Sequence, residues 1–182
     1  MLGILFGIVV VVVIIYTITI YNALVSMRNK IEETYATVEA YLKKRYDLIP
    51  NLVETVKGYA KHESETLTSV IQARNMAMSA KGFAEQKQGE NQLQQTLKSL
   101  FAVAESYPDL KANANFMDLQ GQLLKVEEDI LQARKYYNAV VKTFNTKVEL
   151  FPSSIIAKMF AFIKKEYWEI DDIVHENVQV KF

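Results

Sequence analysis

The chain contains no cysteine, only three prolines, six glycines and two histidines among 182 residues. The missing cysteine excludes disulfides, thiol chemistry and thiolate metal sites, and fits either side of a membrane. Few prolines and glycines leave long stretches free to be helical. The glycines form no phosphate-binding loop, and no Ser, His and Asp stand in a nucleophile-elbow setting. The two histidines, His62 and His175, have no HExxH or His-x-x-x-His spacing, and the paired Glu-x-x-His motifs of di-iron bundles do not occur. Both read as surface residues. Charge of one sign is also lacking: 21 basic side chains balance 21 acidic ones. That balance argues against a nucleic-acid partner, which asks for a basic excess. No catalytic, cofactor-binding or metal-binding residue is expected.

What is present begins with a run of apolar residues. Residues 1–21 read MLGILFGIVVVVVIIYTITIY, and the first charged side chain is Arg28. A bilayer core of about 30 Å needs about 20 residues at 1.5 Å rise, so the run is long enough to span. In lipid the backbone must satisfy itself, which makes the run helical despite its Val and Ile. A cleaved signal peptide would show a basic start and a small-x-small end, and neither is visible here. Residues 1–22 are therefore read as a retained anchor. Arg28 and Lys30 follow it, with Lys43, Lys44 and Arg45 further on. The positive-inside rule then places the N-terminus outside and the remainder in the cytoplasm of a bacterial cell membrane.

After the anchor, apolar residues recur in steps of three and four. The stripes are Ile31, Tyr35, Val38, Leu42 and Ile49; Leu52, Val56, Tyr59, Leu67, Val70 and Ile71; Leu93, Leu97, Leu100, Phe101 and Ala104; and Phe116, Leu119, Leu123, Ile130, Tyr137, Val141, Phe144 and Val148. Such steps mark amphipathic helices, and no sheet is expected. Breaks fall at Lys81-Gly82-Phe83, Tyr107-Pro108-Asp109 and Phe151-Pro152. Asn113 or Asn115 is placed to cap the last long helix, and Ser153 or Ser154 a short one over 155–165.

Pro50 permits two readings. The stripe keeps its phase across it, as in one long kinked helix. Against that, a rod of about 58 residues would be about 87 Å long, and a third helix of about 32 Å would leave the stripe at 31–42 in water. A break at Asp47–Pro50, with Asp47 as N-cap, buries every stripe in an antiparallel up-and-down four-helix bundle over 23–150. The break is the favoured reading. The bundle's last helix would then return to the membrane.

Residues 151–182 form the remainder. The segment 155–165 is strongly apolar with Lys at its edge, and its candidate membrane contacts are Ile155, Ile156, Lys158, Met159, Phe160, Phe162, Ile163 and Lys164. It is placed either across the bundle end, the favoured reading, or in the headgroup region. Lys43-Lys44-Arg45 lies about 33 Å along a helix from the anchor, several Debye lengths of about 8 Å, and reads as a solvated face. Glu166, Glu169, Asp171 and Asp172 read as a polar tail. Tyr35, Tyr59, Tyr136, Tyr137 and Phe144 read as core and rim.

Several blocks also carry a resemblance. They are Tyr21-Asn22-x-Leu24-Val25 with Arg28-Asn29, Leu42 through Val53 (LKKRYDLIPNLV), Val56 through Glu63 (VKGYAKHE), Tyr107 through Asn113 (YPDLKAN), Arg134 through Asn138 (RKYYN), and Phe151-Pro152 with Ile156-Ala157. Together they cover most of the chain, which resembles the LemA family of bacterial membrane proteins. Family members often carry Trp where Tyr35 stands, and Ile-Asp-Val at 38–40. The resemblance implies a single-pass membrane protein with a small helical domain and supplies no reaction. Its blocks at Asp47 to Val53, Tyr107 to Asn113 and Phe151-Pro152 fall at the expected helix junctions. The function expected is a membrane-tethered scaffold or adaptor that contacts the lipid bilayer and other proteins, or a second copy of itself. The alternatives are an enzyme with an unrecognised site in the bundle, or a membrane-surface sensor acting through 155–165.

Overall fold

The computed structural model describes residues 1–168. Among them it is helical, with no strand: α1 Leu2–Tyr59, α2 Ser64–Ser79, α3 Phe83–Glu105, α4 Pro108–Lys111, α5 Ala114–Glu149 and α6 Ser153–Met159. His175, Glu169, Asp171 and Asp172 lie outside the described residues.

The apolar run forms the first third of α1. Its side chains are exposed through Tyr16, and at its end Ile20 and Tyr21 reach the packed part of the domain. Packing starts at Leu24 and continues through Ile31, Val38, Leu42, Ile49, Leu52 and Val56, all buried. On α5 the buried set is Phe116, Leu123, Val126, Ile130, Tyr137, Val141 and Phe144. Both sets follow heptad spacing, so each helix presents a narrow seam that the other can fill. α1 packs chiefly on α5, and α2 on α3 and α1. The pairings fix the register. Asn113 meets Tyr59, Glu127 meets Arg45, and the Tyr35 ring packs at a tilt against Tyr137, so α5 descends as α1 rises.

The chain does not break at Asp47–Pro50, contrary to expectation. Helix α1 passes through Pro50 and ends only at Tyr59. A proline inside a helix cannot bond the carbonyl four residues back, here that of Tyr46. The Arg74 side chain on α2 supplies the missing donor, with Nε donating to the Tyr46 carbonyl at 2.7 Å. The turn instead falls at residues 60–63. The block from Asp47 to Val53 is therefore mid-helix, and Asp47 caps nothing. The feared exposure of 31–42 does not arise. Helix α5, at 36 residues, is about 54 Å long and covers α1 from Tyr59 down. Residues 162–168 fill in beside it, with Trp168 against Tyr35.

The other breaks fall where expected. Gly82 has φ +85°, a conformation that β-carbons disfavour, and opens α3. Pro108 starts α4, and the Asn113 side chain accepts from the Phe116 N–H at 3.0 Å to cap α5. Gly89 serves a different need: a β-carbon there would lie 2.7 Å from the Cα of Ala77, so its absence lets α3 press on α2.

Neither serine caps α6. Ser153 is its first residue, and its hydroxyl donates to the Lys147 and Leu150 carbonyls. The helix also stops earlier than expected. Ala161 has φ +55°, and the Phe162 N–H returns to the Ala157 carbonyl at 2.9 Å, which closes a Schellman-type end.

Candidate functional site

Two places gather side chains of functional interest. The first is a foot built from the end of α5, α6 and the residues after it. Phe160 packs its ring 4.7 Å from that of Tyr21, and Phe162 lies 5.9 Å from the same ring. The Arg28 guanidinium sits over Phe162. The foot thus stands where the apolar run of α1 ends. Of the candidate contacts, Ile155, Lys158, Met159, Phe160, Ile163 and Lys164 are exposed. Ile156 is buried and Phe162 half-buried, because both turn inward onto the core. The segment therefore packs across the end of the helices with one face and leaves the other bare. Sequence reasoning missed Leu150 and Phe151, which are 58% and 81% exposed and extend the bare face. Their adjacency just before Pro152 was the available signal.

The second place is a buried ionic cluster between α1, α3 and α5. Arg45, read as part of a solvated basic run, is only 3% exposed, whereas Lys43 and Lys44 face water. Its guanidinium pairs with Glu90 of α3 and donates to both oxygens of Glu127 on α5, at 3.0 and 3.2 Å. Glu90, also buried, accepts from the Tyr46 hydroxyl at 2.5 Å and from Arg134 at 2.8 Å. Burial pulls the Arg45 guanidinium down, but Glu90 and Glu127 outweigh it and raise its pKa. Arg134 is lowered by burial, only partly offset by Glu90. Burial, then the Glu90 carboxylate, pushes the Tyr46 phenol up. Acid–base chemistry wants a carboxylate with a site open beside it, whereas both Glu90 oxygens are taken by protein donors. The arrangement suits a register pin between three helices, since removing one partner would strand a buried charge. Among the described residues no group of three or more His, Asp or Glu is placed to hold a metal. His62 is exposed in the turn after α1.

The aromatic residues divide as expected between core and rim: Tyr137 and Phe144 are buried, Tyr35 is half-buried, and Tyr59 and Tyr136 face solvent. A grouping that spacing could not show is the socket of Trp168. Phe83, Tyr35 and Tyr137 surround the indole at ring distances of 5.4, 5.9 and 6.4 Å, with the Arg134 guanidinium 4.9 Å above it.

These features define a class: a helical domain built onto the continuation of one long apolar helix, which suggests membrane anchoring. The LemA family model matches residues 34–182, and the chain belongs to that family. It is similar to Protein LemA of Metamycoplasma hominis, 24% identical over 161 residues, 86% of this chain and 72% of the relative. It is similar also to Magnetosome protein MamQ 2 of Paramagnetospirillum magneticum, 22% identical over 175 residues, 82% of this chain. A further match is Magnetosome protein MamQ of Magnetospirillum gryphiswaldense, 24% identical over 174 residues, 81% of this chain. The chain spans 64% of the length of each of these magnetosome proteins.

Proposed function

We propose that the protein is a non-enzymatic scaffold at the bacterial cytoplasmic membrane, which holds an antiparallel up-and-down helical bundle at a fixed height above the bilayer. The observation that carries this reading is the unbroken course of α1 from its apolar run to Tyr59. From Leu24 to Tyr59 that helix rises about 54 Å, and α5 braces it along the whole length. An anchor joined to its domain without a hinge transmits position, which a partner-holding protein needs. Tethered chains, by contrast, use flexible linkers. Kinship with proteins named for the magnetosome supports a place in an assembly. The basic residues after the run, Arg28 and Lys30, favour a cytoplasmic domain. The partners are other membrane or cytoplasmic proteins, or further copies of the chain.

Crosslinking in intact cells followed by mass spectrometry tests the proposal. Crosslinks from the tip (residues 60–63 and 106–113) to defined proteins, or between copies, are the expected result. A crosslink pattern no different from that of an unrelated single-pass protein at equal abundance refutes it.

A second reading has its own support. Leu150, Phe151, Ile155, Met159 and Ile163 are exposed on the foot whose Phe160 packs on Tyr21, and Lys158 and Lys164 are exposed with them. A helix of this character, at this level, fits the interfacial region, so the foot would also rest in lipid.

A further inference from the structure

Residues 162–168 run along α5, and side chains of that helix hold their backbone. Asn145 receives the Lys165 N–H on Oδ1 at 2.8 Å and donates Nδ2 to the Lys165 carbonyl at 2.9 Å. Asn138 does the same to Trp168, at 2.8 Å in both directions. Each carboxamide thus mimics a peptide group across a ladder. The Tyr137 hydroxyl adds a bond to the Glu166 carbonyl at 3.0 Å.

The periods agree. The two asparagines lie seven residues apart on α5, about 10.5 Å along its axis. Three residues of polyproline-II chain span about 9 Å, and its three-residue turn brings the same backbone edge back to the helix. The groove therefore reads main chain at three points, Lys165, Glu166 and Trp168, and one indole in an aromatic socket. None of these contacts depends on which chain supplies the segment.

The hinge holds a residue with a β-carbon in the left-handed region. Ala161, at φ +55°, makes the sharp turn that folds the segment back onto its own body. That conformation disfavours a β-carbon, and an extended residue 161 would be free of it. Copies anchored through the same apolar helix meet side by side in one plane, which raises their effective concentration.

We propose that the Asn138–Asn145 groove takes the 162–168 segment of a second copy, so that neighbouring chains are linked by reciprocal exchange at their membrane-proximal ends. Exchange keeps the bonds to Asn138, Asn145 and Tyr137 and the Trp168 socket, and it relaxes Ala161 in return for the Phe162–Ala157 bond that closes α6.

The absence of cysteine makes a clean test possible. Lys164 and Glu149 form an exposed ion pair across the start of the segment. Full-length Lys164→Cys and Glu149→Cys chains, differently tagged, are co-expressed in a bacterial membrane and treated with a short bis-maleimide. A chain carrying both substitutions reports the docked segment itself. Exchange predicts a mixed dimer in the co-expressed sample that neither variant forms alone. Adding Asn138→Ala and Asn145→Ala to the Glu149→Cys copy should reduce that dimer at least fivefold, with helicity retained by circular dichroism. Crosslinking confined to the doubly substituted chain overturns the proposal. A mixed dimer that survives loss of both asparagines also overturns it, because the copies then merely stand side by side.

Discussion

Pro50 and Arg74 show how far a single residue's meaning depends on its neighbours. A proline normally costs a helix interior about 3 kcal/mol, part of it through the carbonyl left without a donor. Here Arg74 reaches from α2 to that carbonyl. The pair should therefore be coupled. Arg74→Met is expected to destabilise the domain by about 1.5–3 kcal/mol, the range for a hydrogen bond involving a charged group. In a Pro50→Ala background the Tyr46 carbonyl regains its helical donor, and the same substitution should cost about 1 kcal/mol less. Urea unfolding of the four members of this cycle, followed by circular dichroism in detergent, measures the difference. Equal losses in both backgrounds would show that Arg74 does not stand in for the missing N–H. Arg45 teaches a similar lesson. Its flanking lysines are solvated, but helical phase turns the third member of the run inward, onto Glu90 and Glu127. The phase was readable from Leu42 and Ile49. The carboxylates that make burial tolerable come from residues 90 and 127, and no local pattern points to them.

At the scale of elements, most punctuation was legible because it is local. Gly82, Pro108 and Asn113 act on backbone within a few residues of themselves, and each ends or opens a helix where its chemistry says it should. The short helix after Pro152 was legible in existence and not in extent. Its end is closed by Ala161 in the left-handed region and the Phe162–Ala157 bond, and Asn145 and Asn138 then capture the backbone of residues 165 and 168 from a distant part of the chain. The foot that results divides its apolar residues between core and surface, which periodicity over so short a span cannot do. Its bare face carries a prediction. An environment-sensitive fluorophore at a cysteine replacing Phe151, in full-length protein reconstituted into liposomes, should emit to the blue and be quenched several-fold by brominated lipid. Water-like emission without quenching would place the foot clear of the bilayer and leave it as packing alone.

For the molecule as a whole, stability at alkaline pH should depend on its buried phenols. Burial, with Tyr35 and Glu166 adding, pushes Tyr137 up to about 12, and Tyr46 is raised as well. A folded-state pKa above the unfolded value of about 10 means that the folded form holds its proton longer. That contribution is complete below pH 10 and is lost as pH rises toward 12. After allowance for partial solvent screening, Tyr137 should account for about 1 kcal/mol, or about 2–4 °C of melting temperature. Thermal melts of Tyr137→Phe and the parent between pH 9 and 12 test this. The variant's melting temperature should fall less steeply; parallel curves would show that the phenol titrates alike in both states.

Sequence alone determined what depends on short-range chemistry. The apolar run is long enough to span a bilayer, apolar residues after it recur in the steps of three and four that mark helices, and specific blocks point to the LemA family. These follow from side-chain polarity counted along one dimension, and from local backbone preferences. Tertiary structure decided the rest: that α1 continues through Pro50, that Arg45 is buried, that Trp168 has a socket, and that α6 stands beside Tyr21. Each of these turns on a partner dozens of residues away, and the free energy of a buried donor, charge or indole is set by what lies across from it. The apolar helix at the start of the chain is thus no separate appendage. It is the first third of the rod on which the whole domain is assembled.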